Sequence, residues 1–221
     1  MDPNRSEHQA DEAQRARRVG ILAIQGNVDA HARSIARLGV EPRRVRREKD
    51  LDGLDALVFP GGESTTIAKG LDRLGLCEPL REAARGGLPL LGTCAGAILL
   101  GRQVDRHPVP PLGLLDVVSV RNAYGTQVDS FATEVDPGAS PGLEGLRCVF
   151  IRAPQLRDSG SEVEVLARVD GSPVLVRQGR LLAATFHPEL TDDLRVHSLL
   201  LAHHSRHAVG VPCGQGGSAG R

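Results

Sequence analysis

A cysteine between two glycines is the residue of this sequence best placed to act as a nucleophile. Gly92-Thr93-Cys94-Ala95-Gly96 follows a short apolar segment and precedes a predicted helix, which is the form of a nucleophile elbow carrying cysteine instead of serine. The flanking glycines allow a tight turn around a strained central residue. At the start of a helix the thiol meets the positive end of the helix dipole, which favours the thiolate. We therefore predict that Cys94 is a nucleophile and that the N–H of Ala95 binds an oxyanion; a buried structural cysteine is the alternative.

A histidine followed by a carboxylate supplies the base that such a nucleophile needs. His187-Pro188-Glu189 comes directly after an apolar segment that predicts a strand. Pro188 holds His187 in an extended conformation, and alternate residues of an extended segment face the same way. Glu189 can then bind one imidazole nitrogen while the other nitrogen faces Cys94, which sets the tautomer and favours the imidazolium. A histidine that merely ends a strand at the surface is the alternative interpretation.

A glycine-rich loop provides a third group of candidate site residues. Pro60-Gly61-Gly62-Glu63-Ser64-Thr65-Thr66 follows a second apolar segment. Its glycines permit positive φ and allow a ligand to approach the backbone, and Ser64 or Thr65 is expected to cap the following helix. We expect a second oxyanion donor from the N–H of Gly61 or Gly62. By itself, this loop would predict only a capped helix start.

The elements around these motifs predict a mixed sheet with helices on both faces. Apolar segments alternate with helical patterns in the first half, and closely spaced strands dominate the second half. We predict strands at 19–24, 57–59, 88–92, 117–120, 149–151, 163–169, 174–176 and 181–186, and helices at 28–38, 64–74, 79–85, 95–100 and 192–204. The basic residues at 43–47 are interpreted as a solvated edge or loop. Ligands of such sheets bind at the carboxyl ends of the strands, where all three motifs lie.

Composition bounds the domain organisation and excludes several classes of partner. The 221 residues, 40% of them hydrophobic, suffice for one domain, predicted at 19–208 between a polar tail (1–18) and a glycine-rich tail (209–221). The 27 basic and 27 acidic residues balance, which argues against nucleic acid or an anionic membrane as partner. Aromatic residues make up 2% of the chain, too few for stacking single-stranded nucleic acid.

The apolar and cysteine patterns predict a cytoplasmic protein without a bound metal. No apolar run approaches the ~20 residues that cross a bilayer, and the N-terminus lacks the apolar segment of a secretory signal. The four cysteines, Cys77, Cys94, Cys148 and Cys213, are widely separated. This spacing favours reduced thiols over disulfides and does not match a metal-ligand set.

Together the three motifs resemble those of the class I (triad) glutamine amidotransferases. Among these, the chain most resembles the glutaminase subunits of pyridoxal 5'-phosphate synthases. The resemblance runs from about residue 19 to 204 without large gaps and rests on residues 22–28, 60–66, 92–96, 112–116, 121–122, 127–131, 150–154 and 186–191. The segments Phe-Ile-Arg-Ala-Pro at 150–154 and Gln-Val-Asp-Ser-Phe at 127–131 distinguish this family from other amidotransferases.

The resemblance implies a flavodoxin-like three-layer α/β sandwich with a mostly parallel mixed sheet. It implies a Cys94-His187-Glu189 triad, and a glutamine site made by Gly62, Glu63, Ser64, Arg121, Ile151 and Arg152. An arginine suits the α-carboxylate of glutamine because a guanidinium can bind it with two hydrogen bonds. No metal or organic cofactor is implied. Thr126 replaces the arginine usual in the family, so any partner contact of that arginine is not expected here.

The resemblance also implies a partner and leaves two alternatives. Ammonia from glutamine would pass to a separate synthase subunit, within a hetero-oligomeric complex, which makes pyridoxal 5'-phosphate from a pentose phosphate and a triose phosphate. One alternative is a glutaminase serving another synthase, such as that of the histidine pathway, against which the 150–154 segment argues. The other is a non-catalytic binding module, against which the intact Cys94, His187 and Glu189 argue.

Overall fold

A computed structural model of the chain describes residues 17–105, 108–121 and 130–202. The predictions made for Asn122, Thr126, the segment 127–129 and the C-terminal tail lie outside the described residues. So does nearly all of the predicted N-terminal tail, whose last residue, Arg18, already belongs to the first strand.

A seven-stranded sheet forms the centre of the fold. It comprises β1 (Arg18–Leu22), β2 (Glu41–Val45), β3 (Ala56–Phe59), β4 (Leu90–Thr93), β10 (Glu164–Val169), β11 (Ser172–Gln178) and β12 (Leu181–Ala184). The spatial order is β10-β11-β12-β4-β3-β1-β2. The five strands from β12 to β2 run parallel, and β11 and β10 extend the sheet in antiparallel fashion.

Two smaller sheets flank the central one. The first contains β5 (Gly101–Val104), β6 (Leu115–Val120) and β9 (Gln155–Arg157), and the second pairs β7 (Phe131–Glu134) with β8 (Arg147–Phe150). The backbone N–H of His187 donates to the carbonyl of Val149 at 2.8 Å. The β7–β8 pair is therefore joined to the segment that carries the predicted base.

Helices cover both faces of the sheet. They are α1 (Val28–Arg37), α2 (Ser64–Arg73), α3 (Cys77–Arg85), α4 (Ala95–Leu100) and α5 (Arg195–Ala202), with 3₁₀ turns at Glu48–Leu51 and Pro188–Leu190. Ile35 of α1 and Leu200 of α5 belong to one buried cluster, together with Val58 of β3. Within the described ranges, no helix is long and apolar enough to cross a membrane.

The second buried cluster contains residues of α2, α3 and α4. Together with the first cluster, it explains why the central strands are apolar at every position. Ile67 of α2 and Leu80 of α3 pack in it with Leu57 and Phe59 of β3. Val58, between those two strand residues, belongs to the first cluster. Successive side chains of a strand point to opposite faces, so a strand covered on both faces needs apolar residues at every position.

The predicted fold class, an α/β sandwich with a mostly parallel mixed sheet and helices on both faces, is confirmed. Sequence reasoning missed β2, β5, β7 and β9. In β2, which forms one edge of the sheet, Val45 is the one buried residue, so the apolar pattern of a strand is absent. The basic segment predicted as an edge or loop thus lies partly in this edge strand.

The pairing of β4 with β12 brings the predicted nucleophile and the predicted base to the same edge of the sheet. Thr93 pairs with Ala184 in parallel register, and the N–H of Cys94 donates to the carbonyl of Ala184 at 2.8 Å. Both strands end at the same edge, with the nucleophile one residue beyond β4 and His187 three residues beyond β12.

Candidate active site

Cys94 occupies a strained turn between β4 and α4. Its φ is +48° and its ψ is −105°, a conformation that costs a non-glycine residue about 1–3 kcal/mol. The backbones around it approach closely: a Cβ at Gly96 would lie 2.0 Å from the carbonyl oxygen of Phe59. A Cβ at Gly92 would lie 2.7 Å from the carbonyl of Gly96. The glycines of the motif therefore permit the packing of α4 against β3 and β4, which holds the elbow.

The three predicted triad residues lie against one another. His187 Nδ1 lies 2.7 Å from Oε1 of Glu189, and the imidazole interacts electrostatically with Cys94. The Cys94 Sγ lies 3.9 Å from the carbonyl oxygen of Ile151. All three triad side chains are buried. Nδ1 faces the carboxylate, so the Nε2 side of the ring is the one available to sulfur.

Burial and neighbouring groups shift the pKa values of His187 and Glu189 in opposite directions, and the effect of the neighbouring groups is larger. Burial lowers the pKa of His187, but the hydrogen bonds and charges of Cys94 and Glu189 outweigh it and raise that pKa well above the ordinary 6.5. Burial raises the pKa of Glu189, but His187, His31 and Asn27 outweigh it, so the carboxyl has a lowered pKa. The pair is therefore imidazolium and carboxylate at neutral pH, and the imidazolium stabilises a negative sulfur beside it.

Two further side chains contact Glu189. Asn27 Nδ2 donates to Oε1 at 3.0 Å, and Nε2 of His31 lies 3.4 Å from Oε2. Asn27 occupies the N-cap position of α1, but its side chain makes no capping hydrogen bond. Sequence reasoning missed the role of His31, for which one signal existed: a histidine in line with Val28 and Ile35 on the apolar side of the helix.

The predicted oxyanion loop lies directly against the triad. A Cβ at Gly61 would lie 2.4 Å from Cε1 of His187 and 3.2 Å from Cβ of Cys94, so only glycine fits there. The N–H of Gly61 donates to Thr93 Oγ1 at 3.0 Å, and its carbonyl accepts from the N–H of Asn27 at 3.3 Å. Because Thr93 already binds the Gly61 N–H, this arrangement favours Gly62 as the donor from the loop.

Glu63, predicted to contact glutamine, has a structural role as well. Its carboxylate accepts from the N–H of Thr65 at 3.1 Å and of Thr66 at 2.7 Å, so Glu63 caps α2. The prediction that Ser64 or Thr65 forms this cap was wrong, because the longer glutamate side chain folds back onto both N–H groups. Burial opposes these hydrogen bonds, yet they lower the pKa of Glu63 to about 2. Arg121 Nη2 lies 3.3 Å from the same carboxylate.

A pocket of 310 Å³ brings the predicted site together. It is lined by Gln25, Gly26, Asn27, Gly61, Gly62, Glu63, Ser64, Cys94, Ala95, Ile98, Arg121, Ile151, Arg152, Pro154 and His187. Every predicted site residue except Glu189, which lies behind His187, lines this pocket. Sequence reasoning did not assign Gln25, Gly26, Asn27, Ile98 or Pro154 to the site.

The lining of the pocket is suited to a small zwitterionic ligand. The reactive groups at its wall are suited to cleavage of an amide or ester bond of that ligand. Arg121 and Arg152 supply guanidinium groups, Glu63 supplies a carboxylate, and Arg152 has a strained φ of +46°. Ser64 Oγ is buried and has no hydrogen-bond partner among the described residues. The thiol and its imidazole can perform acyl transfer. Within the described ranges, no group of three or more His, Cys, Asp or Glu is arranged to hold a metal ion.

Comparison with known proteins agrees with this chemistry. Residues 21–205 match the family described as "SNO glutamine amidotransferase family". The chain is 54% identical to the pyridoxal 5'-phosphate synthase subunit PdxT of Frankia alni, over 83% of this chain and 93% of the relative. It is 47% identical to the subunit of the same name from Carboxydothermus hydrogenoformans, over 81% of this chain and 94% of that one.

Solved structures give the same result. The crystal structure of a glutamine amidotransferase, 47% identical, superimposes with a TM-score of 0.80 over 84% of this chain and 98% of the other. A putative GMP synthase subunit from Thermoplasma acidophilum, 19% identical, shares the fold with a TM-score of 0.63 over 86% of this chain and 95% of its own. The sequence match over most of the chain and the shared fold lead to one conclusion: this chain belongs to the SNO glutamine amidotransferase family.

Proposed function

We propose that this chain is the glutaminase subunit of a pyridoxal 5'-phosphate synthase and hydrolyses L-glutamine to L-glutamate and ammonia. The observation that carries the proposal is the Cys94-His187-Glu189 triad: His187 is hydrogen bonded to Glu189, and it lines with Cys94 a pocket that also has arginine and glutamate side chains. Family membership and the names of relatives near 50% identity support the glutamine substrate and the synthase.

In the first half-reaction, the thiolate of Cys94 attacks the side-chain amide carbon of glutamine. The carbonyl oxygen becomes an oxyanion, stabilised by the N–H of Ala95 and by the N–H of Gly62, since that of Gly61 already donates to Thr93. The His187 imidazolium donates its proton to the leaving nitrogen, so that the C–N bond breaks and ammonia departs. The products are a thioester on Cys94 and a neutral imidazole.

In the second half-reaction, the neutral imidazole of His187 accepts a proton from water while the water oxygen attacks the thioester. The tetrahedral intermediate uses the same N–H groups, and the C–S bond breaks to release glutamate and the thiolate. The imidazolium is thereby restored. Glu189 stabilises the charged ring and keeps its Nε2 side towards sulfur throughout.

The arginines and Glu63 would select glutamine over a simple amide. An α-carboxylate pairs with the guanidinium of Arg121 or Arg152, and the α-ammonium pairs with the carboxylate of Glu63. The Glu63 carboxylate is held rigidly by the first turn of α2, so it is positioned before the ligand arrives. The buried Ser64 hydroxyl and the carbonyl of Ile151 offer further polar contacts.

The synthase subunit is proposed as the acceptor of the ammonia. The relatives are named as subunits of pyridoxal 5'-phosphate synthase, and they are matched over more than nine-tenths of their own length. The acceptor chemistry then resides on another chain. Their names favour this assignment over a glutaminase of the histidine pathway, and the assembled triad favours catalysis over a binding module. The cytoplasmic location remains a prediction.

The test is reconstitution of the full chain with the synthase subunit. We expect the complex to form pyridoxal 5'-phosphate with either glutamine or free ammonia as the nitrogen source. With Cys94→Ala in the chain, synthesis from glutamine should be lost and synthesis from ammonia retained. Absence of glutamate production by the wild-type complex would overturn the proposal.

A further inference from the structure

A chain of buried polar side chains lies behind the triad, on the side away from the pocket. Nδ1 of His31 lies 3.0 Å from Nε2 of His197, and Nε2 of His31 lies 3.2 Å from Oγ1 of Thr93. The two histidines and Thr93 are fully buried. They come from α1, α5 and β4, so three separate elements converge on this point. Neither histidine lines the substrate pocket.

Both histidines are neutral at neutral pH. Burial lowers the pKa of His31 to about 4, against the attraction of Glu189 and with the repulsion of His187. Burial likewise lowers the pKa of His197 to about 3, helped by His31 and opposed by Glu189. A neutral imidazole has one N–H and one bare nitrogen, so the hydrogen bond between the two rings has one of two directions.

The surroundings of His31 Nε2 distinguish the two directions. If His31 donated from Nδ1, its bare Nε2 would face Oε2 of the ionised Glu189 at 3.4 Å, which is repulsive. His197 would then carry its proton on Nδ1, which has no hydrogen-bond partner among the described residues. If His197 instead donates from Nε2, Nδ1 of His31 is the acceptor and carries no proton. The N–H of His31 is then on Nε2, beside the carboxylate of Glu189 and Thr93 Oγ1. A buried bare nitrogen is also more easily tolerated than a buried orphan N–H.

We propose that His31 is a positioning residue of the triad, protonated on Nε2 and oriented by an N–H from His197. Its Nε2–H donates to Thr93 Oγ1 and places a positive dipole beside Oε2 of Glu189, while Oε1 is held by His187 and Asn27. Thr93 Oγ1 also accepts the N–H of Gly61. One neutral imidazole thus supports both the ionised carboxylate and the glycine loop.

This inference deepens the proposed glutaminase function and rests on it where catalysis is concerned. Without the His31 N–H, Glu189 would be a less stable anion and a less well oriented one. The imidazolium of His187 would then be less populated, and the sulfur of Cys94 would lose a positive neighbour. Since His31 does not touch substrate, its loss should lower kcat and leave KM for glutamine unchanged.

The protonation states are tested directly by two-bond ¹H–¹⁵N correlation spectra of the full chain labelled with [¹⁵N]histidine. His31→Gln and His197→Gln assign the signals. We expect both residues to appear as neutral Nε2–H tautomers from pH 7 down to pH 5. A His31 signal from the Nδ1–H tautomer, or from an imidazolium at pH 7, would overturn the proposal.

The consequence for the triad is tested by the rate at which iodoacetamide alkylates Cys94, followed by peptide mass spectrometry across pH. His31→Leu removes the donor, whereas His31→Gln keeps an amide N–H near the position of Nε2. For His31→Leu we expect alkylation of Cys94 at neutral pH to slow about 10-fold, and kcat of the complex to fall about 10- to 100-fold, the effect of one interaction with a charged group. His31→Gln should keep most of the wild-type alkylation rate and most of the wild-type kcat.

A purely structural role predicts a different outcome. Val196→Ala, a buried substitution next to His197 that leaves the polar chain intact, should lower Tm without moving the alkylation profile. If His31→Leu behaves like Val196→Ala, or if His31→Gln is as impaired as His31→Leu, the positioning role is refuted. Alkylation needs no glutamine, so failure of the proposed glutaminase function would appear separately, as absent glutamate production by every variant including the wild type.

Discussion

Nδ1 of His187 lies 2.7 Å from Oε1 of Glu189, although neither side chain reaches solvent to any useful extent. A buried ion pair of this kind is retained only when further hydrogen bonds satisfy its charges. The carboxylate meets that condition through Asn27, and the imidazolium is further stabilised by its electrostatic interaction with Cys94. The pair is therefore a fixed, buried ion pair beside the sulfur of Cys94 and not a mobile surface contact.

Replacing the carboxylate should be less damaging than replacing the base. We expect Glu189→Gln to reduce kcat strongly, because the amide keeps the shape but loses the charge that stabilises the imidazolium. In a serine triad the corresponding change costs about 10⁴-fold; a thiolate nucleophile is expected to lose less. His187→Ala should abolish turnover. Full activity of Glu189→Gln across neutral pH, in steady-state assays of the complex, would contradict the triad.

Covalent labelling should identify one nucleophile. A glutamine-analogue electrophile should modify Cys94 alone, since it faces the pocket beside an imidazolium. Burial raises the pKa of Cys148 to about 12 and, more weakly, raises the pKa of Cys77, so both resist alkylation at neutral pH. Intact-mass and peptide mass spectrometry measure this, with Cys94→Ala as the unlabelled control. An adduct on Cys77, Cys148 or Cys213 would show that the assignment is wrong.

Stability should fall steeply as the pH drops from 6 to 5. The pKa values of His31 and His197 are lowered to about 4 and 3 in the folded state, so in this window the unfolded chain binds protons that the folded chain does not. Each group then removes up to about 1.4 kcal/mol per pH unit. His187 contributes nothing here, because its raised pKa keeps it protonated when folded; its stabilisation disappears on the alkaline side. Glu189, with a lowered pKa, loses its contribution only below pH 4.5.

The measurement is Tm against pH for the wild type and for His197→Phe. The variant removes one of the two titrating groups at similar volume, so the slope of unfolding free energy between pH 6 and 5 should be about halved. Ser198→Ala, an exposed neighbour on the same helix, is the control and should keep the wild-type slope. Parallel curves for His197→Phe and wild type would mean that His197 is not buried in its neutral form.

The synthase subunit should switch on glutamine hydrolysis. Ala95 N–H is fixed by the start of α4, but the second oxyanion donor lies in Gly61-Gly62, where a peptide can turn at little steric cost. A partner that contacts this loop, or Gln25-Gly26 beside it, can select the donating orientation through differential contacts. We expect low glutamate production by the isolated chain at saturating glutamine and a marked increase on adding the synthase subunit. Equal turnover in both samples would indicate a preformed oxyanion site.

The sequence predicted those parts of the site that depend on local pattern. A segment of seven residues or fewer is enough to recognise the Cys94 elbow, the strand before His187 or the glycine loop. The parallel sheet then brings the ends of these strands together. The contact between Asn27 and Glu189 joins residues 162 positions apart, and nothing near Asn27 indicates it. An asparagine before a helix usually caps it, but the side chain of Asn27 contacts Glu189 instead.

Side-chain length and edge position account for two other differences. Glu63 caps α2 because its carboxylate reaches two N–H groups, a choice that residue preferences at helix starts do not favour over Ser64. The edge strand β2 has solvent beside most of its residues, so the apolar signal that located β3 and β4 is missing from it.

The register of β4 with β12 has a consequence for the chain as it is synthesised. Thr93 pairs with Ala184, which lies 91 positions later in the sequence. A nascent chain carries its nucleophile before its base, because residues 187–189 are synthesised more than 90 residues after Cys94. Until β12 inserts beside β4, the thiol at position 94 has no imidazolium beside it and behaves as an ordinary cysteine. The thiol therefore acquires its imidazolium neighbour only when β12 has paired with β4, which makes alkylation of Cys94 a reporter of native assembly.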